Sequence, residues 1–324
     1  MIFLTNMIYN TNKILKINKT HGLIANSAKV TTIGTFDGVH IGHQKILMQV
    51  VKHAKRQDYV PVVLTLFPHP RMVLQKNNSI KLLNTINERI EILKSLGIKE
   101  VIVKEFTKEF ANLSAKDYVK NILVNELNTK QVVIGYDHHF GKNRSANIKD
   151  LKAFAQHYDF KVEEISAQDI KDVTVSSTKI RNALDKGEVA LANSFLGYNY
   201  FITGTVIKGK GLGRTIEFPT ANIHIKESYK LIPNDGVYVV KSRFRNEIIY
   251  GMMNIGSNPT VDGKTRSIEV HFFNFNNDIY DVELKIEFLK RLRSEQKFEN
   301  LEALKVQLKK DKVNALDYTN AINE

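Results

Sequence analysis

The segment Gly34-Thr35-Phe36-Asp37-Gly38-Val39-His40-Ile41-Gly42-His43 sets two imidazoles three residues apart among three glycines. A short β-branched run, Val30 to Ile33, precedes it, and a helical period of apolar residues runs from Ile41 to Lys55. A strand-to-helix junction exposes backbone N–H groups and the positive end of the helix dipole, both of which attract phosphate. Gly38 and Gly42 let the chain turn and let a ligand approach closely. Residues three apart share a helix face, so His40 and His43 are expected to face one triphosphate. There they would donate hydrogen bonds as charge moves to the leaving group, and take the charged form beside an anion. Two plainer readings compete: a pair of half-buried histidines satisfied by carbonyls, or a zinc pair, for which no third ligand lies nearby.

Ser176-Ser177-Thr178-Lys179-Ile180-Arg181 is a second anion seat, at an expected helix start after the strand-like Val173-Thr174-Val175. An ordinary N-cap with a basic solvated face explains the same residues. Two such seats at junctions of one parallel sheet are more informative than either alone, because together they would clamp a triphosphate.

A third constellation lies further on. Gly209, Gly211 and Gly213 lie in an expected loop between strands, with Lys208, Lys210 and Arg214 adding positive charge. Such a loop wraps phosphates with its N–H groups, although a plain glycine-rich hairpin reads the same way. Thr220 and Asn222 follow Pro219; two apart on a strand, their oxygen-bearing side chains face one side and suit Mg²⁺ held with phosphate and water. Glu269 and His271 alternate on another expected strand among apolar neighbours. A carboxylate near a sheet interior can take a proton from an alcohol, and a Glu–Arg ion pair is the structural alternative.

The elements that must position these residues fall into two groups. Up to about residue 165 strand-like and helix-like stretches alternate: Val60 to Phe67, Glu88 to Leu96 with Gly97 as cap, Val101 to Val103, a helix opened by a capping box at Ser114 and running to about Leu127, Val132 to Gly135, Ile148 to Tyr158, and Val162 to Ile165. A βα repeat implies a parallel sheet with ligands at the carboxyl ends of its strands. Ser176–Asp185 and Val189–Leu196 read as two helices joined at Lys186-Gly187. Six strand-like stretches follow (200–207, 219–225, 236–244, 248–255, 267–273 and 282–288), then a helix from Leu301 to Lys309, which predicts a small barrel or sandwich closed by a helix. The boundary is expected near 185–199, giving domains 1–186 and 187–324.

The chain has 324 residues, 43% hydrophobic and 25% charged, enough for about two domains. No apolar run reaches the ~20 residues of a membrane span, and Met1 to Asn6 lacks the basic leader of a signal peptide. The absence of cysteine excludes disulfides, thiolate metal sites and a cysteine nucleophile, and fits a reducing cytoplasm. A net charge of +13 favours anionic partners without choosing among nucleic acid, anionic membrane and phosphorylated small molecules.

The paired seats resemble the HxGH motif and Ser/Thr-rich second motif of the nucleotidylyltransferase superfamily. GTFDGVHIGH and SSTKIR are most similar to the FMN adenylyltransferase module of bacterial bifunctional riboflavin kinase/FAD synthetases. Thr65-Leu66-Phe67-Pro68-His69-Pro70 resembles that family's TFxPxP, and Gly135-Tyr136-Asp137-His138-His139-Phe140-Gly141 its GxDFxFG, with His138 where an aromatic such as Phe is usual. GKGLGR with FPTAN, Pro233 to Tyr238, Asn254 to Thr260, Glu269-Val270-His271 and Arg293 to Phe298 are similar to its riboflavin kinase module, in family order. Glu217 stands where Gly usually precedes Phe-Pro-Thr-Ala-Asn.

The resemblance implies an α/β protein: a Rossmann-like parallel-sheet nucleotidylyltransferase domain, then a small antiparallel β-barrel with a C-terminal helix. It implies ATP, riboflavin and FMN as substrates, Mg²⁺ as cofactor, and no nucleic-acid or membrane partner. For adenylyl transfer it implies Gly34, Phe36, Asp37, Gly38, His40, Gly42, His43, Asp137, Ser177, Thr178 and Arg181 at ATP, with His40, His43 and Arg181 catalytic. For the kinase it implies Gly209, Lys210, Gly211, Gly213, Arg214, Thr220 and Asn222 at ATP, the last two at the metal, and Glu269 as general base. Class I aminoacyl-tRNA synthetases share His-Ile-Gly-His, but a small β module with its own ATP-like loop argues against them, as does the lack of a long helical region. A non-catalytic nucleic-acid binder is disfavoured by the absence of Trp and of aromatics interleaved with basic residues.

Overall fold

The computed structural model describes residues 27–75, 80–166, 175–209, 213, 216–260 and 263–323. Its backbone packing separates two compact units. One comprises residues up to 80 and 86–174; the other comprises 81–85 and 175 onward.

In the first unit five parallel strands lie in the order β3-β2-β1-β4-β5: β1 Lys29–Ile33, β2 Val60–Phe67, β3 Glu100–Glu105, β4 Thr129–Gly135 and β5 Lys161–Ile165. All five positions of β1 are buried, as a central parallel strand covered on both faces requires. Helix α1, Ile41–Gln57, buries Leu47, Val50 and Ala54 and ends at the left-handed Asp58. Helix α2, Ile86–Ser95, starts two residues before the apolar period suggested and is followed by Gly97 at φ 92°. Ser114 caps the next helix as expected: its Oγ accepts from the Asp117 N–H at 3.0 Å. After Asp117, however, the chain widens into a π-helix over Tyr118–Glu126. Helix α3, Ile148–Tyr158, opens on a capping box of Asn147 and Asp150. Connections leave β1 and β4 in opposite directions, so the crevice for a ligand is at their carboxyl ends.

The second unit begins with α4, Ser177–Asp185, and α5, Val189–Leu196, joined through Gly187 at φ 76°. The expected strand 173–175 falls mostly outside the described residues, and Val175 is not in a strand. Helix α4 belongs to this unit: Ile180, Ala183 and Leu184 share one apolar cluster with Tyr238, Ile255 and Phe288. Six strands close a barrel in the order β10-β7-β6-β11-β8-β9. They are β6 Phe201–Ile207, β7 Ala221–His224, β8 Gly236–Phe244, β9 Glu247–Thr260, β10 Gly263–Phe272 and β11 Glu283–Arg293. β9 runs past its expected end and β10 begins before its expected start, because their antiparallel pairing continues without a break to Thr260 and Gly263, and β11 runs past its expected end through two register shifts against β8. The last helix, α6, Leu301–Ala321, is more than twice the length its apolar period suggested. Its inner face covers the outer apolar cluster of Val237, Val239, Met252 and Phe273.

Candidate active sites

The first site begins where β1 ends. Phe36, Gly38 and Val39 all have positive φ, at 47°, 85° and 37°. A β-branched residue held there is strained, and such strain collects at ligand loops. Gly34 permits close packing, since a Cβ there would meet the Phe36 ring at 3.1 Å. His40 is the N-cap of α1: its Nδ1 accepts from the His43 backbone N–H at 3.4 Å, which leaves the ring proton on Nε2. The two imidazoles stack, centroids 3.7 Å apart and 16° from parallel, so they do come together as their spacing predicts.

Their charge differs from expectation. Burial pushes His40 down to about 4, against the pull of Asp37, and burial with His40 and Arg89 nearby pushes His43 well below its ordinary range. Both rings are therefore neutral near pH 7, because desolvation outweighs the surrounding field. His43 Nδ1 is buried without a hydrogen-bond partner.

Arg89, on α2, was not singled out in the sequence. It is fully buried, its NH2 lying 3.4 Å from Asp37 Oδ1 and its NH1 3.5 Å from Thr65 Oγ1. The available signal was an Arg on the apolar face of Ile86, Ile90 and Leu93. Beyond β4, Asp137 is exposed, and its carbonyl lies 2.9 Å from His139 Nδ1. His138 lies over Phe140, and burial pushes its imidazole down to about 4.

In the second unit, Ser176 caps α4, its Oγ accepting from the Lys179 N–H at 3.3 Å. Ser177 is half-buried and Thr178 exposed. Arg181 Nε donates to the Lys81 carbonyl at 2.9 Å.

The barrel carries the other constellation. Lys210, Gly211 and Arg214 lie outside the described residues. At Gly209 a Cβ would fall 2.0 Å from the Asn222 amide nitrogen, and at Gly213 it would fall 2.2 Å from the Phe218 carbonyl oxygen. Gly209 and Gly213 are thus packed closely on Asn222 and Phe218. Thr220 Oγ1 donates to Glu269 Oε2 at 3.1 Å. Glu269 pairs in register with Asn222 on β7 and Asn254 on β9, so three polar residues form one row across three strands.

That row corrects one expectation. Ile268, Val270 and Phe272 fill the barrel interior, so Glu269 and His271 face outward, half-buried and buried respectively. Glu269's hydrogen-bond partner is a hydroxyl rather than an arginine. His271 Nδ1 lies 2.9 Å from the Pro219 carbonyl, holding the segment that leads through Thr220 into β7, which starts at Ala221 rather than at 219 as expected. Glu217 pairs with Lys305, 3.1 Å distant, and its φ of 68° is one glycine adopts freely. A cavity of about 270 Å³ adjoins Thr220 and is lined also by Val206, Phe272, Phe275, Asp278 and Tyr280. The segment 275–280 carried no signal in the sequence, because its part in the cavity depends on barrel closure.

Two family models match in succession, FAD synthetase over residues 24–179 and riboflavin kinase over 196–319. The chain is 40% identical to the bifunctional riboflavin kinase/FMN adenylyltransferase of Buchnera aphidicola over 290 residues, covering 88% of this chain and 92% of that one. It is 38% identical to the Bacillus subtilis protein of the same description over 317 residues, covering 94% and 98%. The chain belongs to the bifunctional riboflavin kinase/FMN adenylyltransferase family. This membership takes the place of the aminoacyl-tRNA synthetase reading. Its architecture is also that of a Streptococcus pneumoniae crystal structure described as a macrolide-efflux protein, at TM-score 0.80 and 32% identity, covering 89% of this chain and 93% of that one. No helix among the described residues is long and apolar enough to cross a membrane.

Within the family frame, the five parallel strands lie inside the FAD synthetase match and the six barrel strands inside the riboflavin kinase match. Helix α4 is matched in sequence by the first model only as far as residue 179 and packs with the barrel.

Proposed function

We propose that this chain runs two consecutive phosphate chemistries: ATP-dependent phosphorylation of riboflavin to FMN, then adenylylation of FMN to FAD with release of pyrophosphate. The observation that supports the reading is the stacked pair of His40 and His43 at a helix start in one unit, and in the other Gly209 packed on Asn222 beside the Thr220–Glu269 hydrogen bond. Functionally, residues 1–186 serve adenylyl transfer and 187–324 the kinase, although the compact units divide at 174/175.

In the kinase step Glu269 takes the proton of the riboflavin 5′-hydroxyl as it attacks the γ-phosphate. Glu269 already accepts a hydrogen bond from one hydroxyl, that of Thr220, and stands half-exposed on the outer face where a substrate alcohol reaches it. Gly209, Lys210, Gly211, Gly213 and Arg214 bind the ATP phosphates, and the cavity beside Thr220 receives the nucleoside. The hydroxyl of Thr220 and the amide oxygen of Asn222 are hard donors beside a carboxylate, and they fit Mg²⁺ bound with ATP. When bound, that ion supplies neutralisation of phosphate charge.

In the adenylyl step the FMN phosphate is already anionic and needs no base. Gly34, Phe36, Asp37, Gly38 and Gly42 shape the phosphate seat, and Asp137 contacts ATP. Neutral His40 and His43, with Ser177, Thr178 and Arg181, donate hydrogen bonds to the triphosphate and the departing pyrophosphate. Small molecules are the partners, without nucleic acid or membrane, and the cytoplasm is the compartment. The test is incubation with riboflavin, ATP and Mg²⁺ followed by separation of flavins. FMN appearing first and FAD second is expected; FMN without FAD, or neither, would remove one or both activities.

A further inference from the structure

One buried cation lies at the adenylyl site outside every motif. Arg89 has no solvent exposure and joins the loop after β1, through Asp37, to the carboxyl-terminal part of β2, through Thr65. Thr65 Oγ1 in turn donates to the Thr35 carbonyl at 3.1 Å, closing a ring of contacts beneath the phosphate loop. Arg89 is also one of the charges that oppose protonation of His43. A guanidinium is always charged and holds its donors in a rigid fork, so it fixes two acceptors in a set relation, which an ammonium does not.

We infer that Arg89 is a positioning residue for adenylyl transfer, holding the Asp37 loop on β2 so that His40 and His43 meet the ATP phosphates in one register. The inference rests on the assignment of FAD formation to this site. The loop it braces carries three consecutive-region residues at positive φ, a conformation that persists only where its surroundings enforce it. Arg89 acts through Asp37, Thr65 and the strand end rather than on a phosphate itself.

The experiment is steady-state kinetics of the full chain carrying Arg89→Lys or Arg89→Gln. FAD formation from FMN and ATP is measured alongside FMN formation from riboflavin on the same preparation, and a thermal melt of each variant, compared with the parent, is the reference for folding of the parallel-sheet unit that carries Arg89. For Arg89→Gln, kcat for FAD formation should fall roughly 10- to 100-fold, as misplacement of reacting groups by about an ångström does. The KM for FMN should stay within about twofold, since ground-state binding is not what is lost. Arg89→Lys should fall between that variant and the parent, and FMN formation should hold in both. A parent chain that makes no FAD would defeat the site assignment itself. A parent that makes FAD, matched within about twofold by Arg89→Gln, would overturn the role of Arg89 alone. If Arg89→Gln loses both activities together, Arg89→Lys decides: selective loss of FAD formation upholds the inference, and parental or equally lost activities overturn it.

Discussion

The roles proposed for Glu269 and His43 separate the two chemistries at the level of single atoms. Glu269 meets Thr220 at 3.1 Å in the barrel, whereas His43 stacks on His40 at the start of α1. Glu269→Gln keeps the shape and removes the base, so FMN formation should fall by roughly 10²- to 10⁴-fold while supplied FMN is still converted to FAD. His43→Ala should lower FAD formation by roughly 10²-fold and spare the kinase. Equal loss of both activities in either folded variant would refute the division of labour. His138 offers a test of protonation. Its imidazole titrates near 4 when folded, against an ordinary value of 6.5. Between those values the unfolded chain binds the extra proton, so this contribution to stability is whole above pH 6.5 and is lost as pH falls to 4, on the order of 3 kcal/mol. His40 acts in the same direction. His138→Phe should therefore flatten the fall in Tm between pH 6.5 and 4; an unchanged slope would contradict burial as the cause.

Among the elements, the five residues 81–85 do most with least. Leu82 forms a bridge with Lys230, and the buried Lys230 Nζ donates to the Leu83 carbonyl at 2.7 Å while lying 4.5 Å from the Tyr200 ring centre. Lys81 Nζ reaches the Ser228 carbonyl and Arg181 reaches that of Lys81, so the segment is tied at several points to the barrel unit. Lys230→Met keeps the length of the side chain and removes its hydrogen bond to the buried Leu83 carbonyl. A loss of about 1–3 kcal/mol is expected from chemical denaturation of the barrel unit. A variant as stable as the parent would show that the strap is dispensable. Helix α6 is held differently: Arg293 grips the buried Asp311 through two nitrogens, a fork no short apolar period announces.

At the scale of the molecule, the compact units and the functional spans do not coincide. Ile180 and Leu184 are fully buried in the barrel unit's core, and Leu83 joins them from the segment 81–85. A fragment beginning at 187 discards α4, whose two large apolar side chains contribute about 1.5–3 kcal/mol each. A fragment spanning 175–324 should melt several degrees above one spanning 187–324 by calorimetry. Equal melting temperatures would mean that α4 is an appendage rather than part of the core.

The sequence by itself determined most of what is local. β-branched runs, helical periods, capping residues and glycine stops placed β2, α3 and α5, because each depends on neighbours within a few turns. The order of the motifs carried the family and the pair of chemistries, since glycine loops and histidine spacing are properties of short segments. Only the tertiary structure decided the rest, for a physical reason: those features arise between residues far apart in the chain. Burial made the histidines neutral where proximity to anions suggested charge. Barrel closure turned Glu269 outward and aligned it with Asn222 and Asn254. Packing set Arg89 beneath a loop 52 residues away and drew residues 81–85 and α4 into the barrel unit.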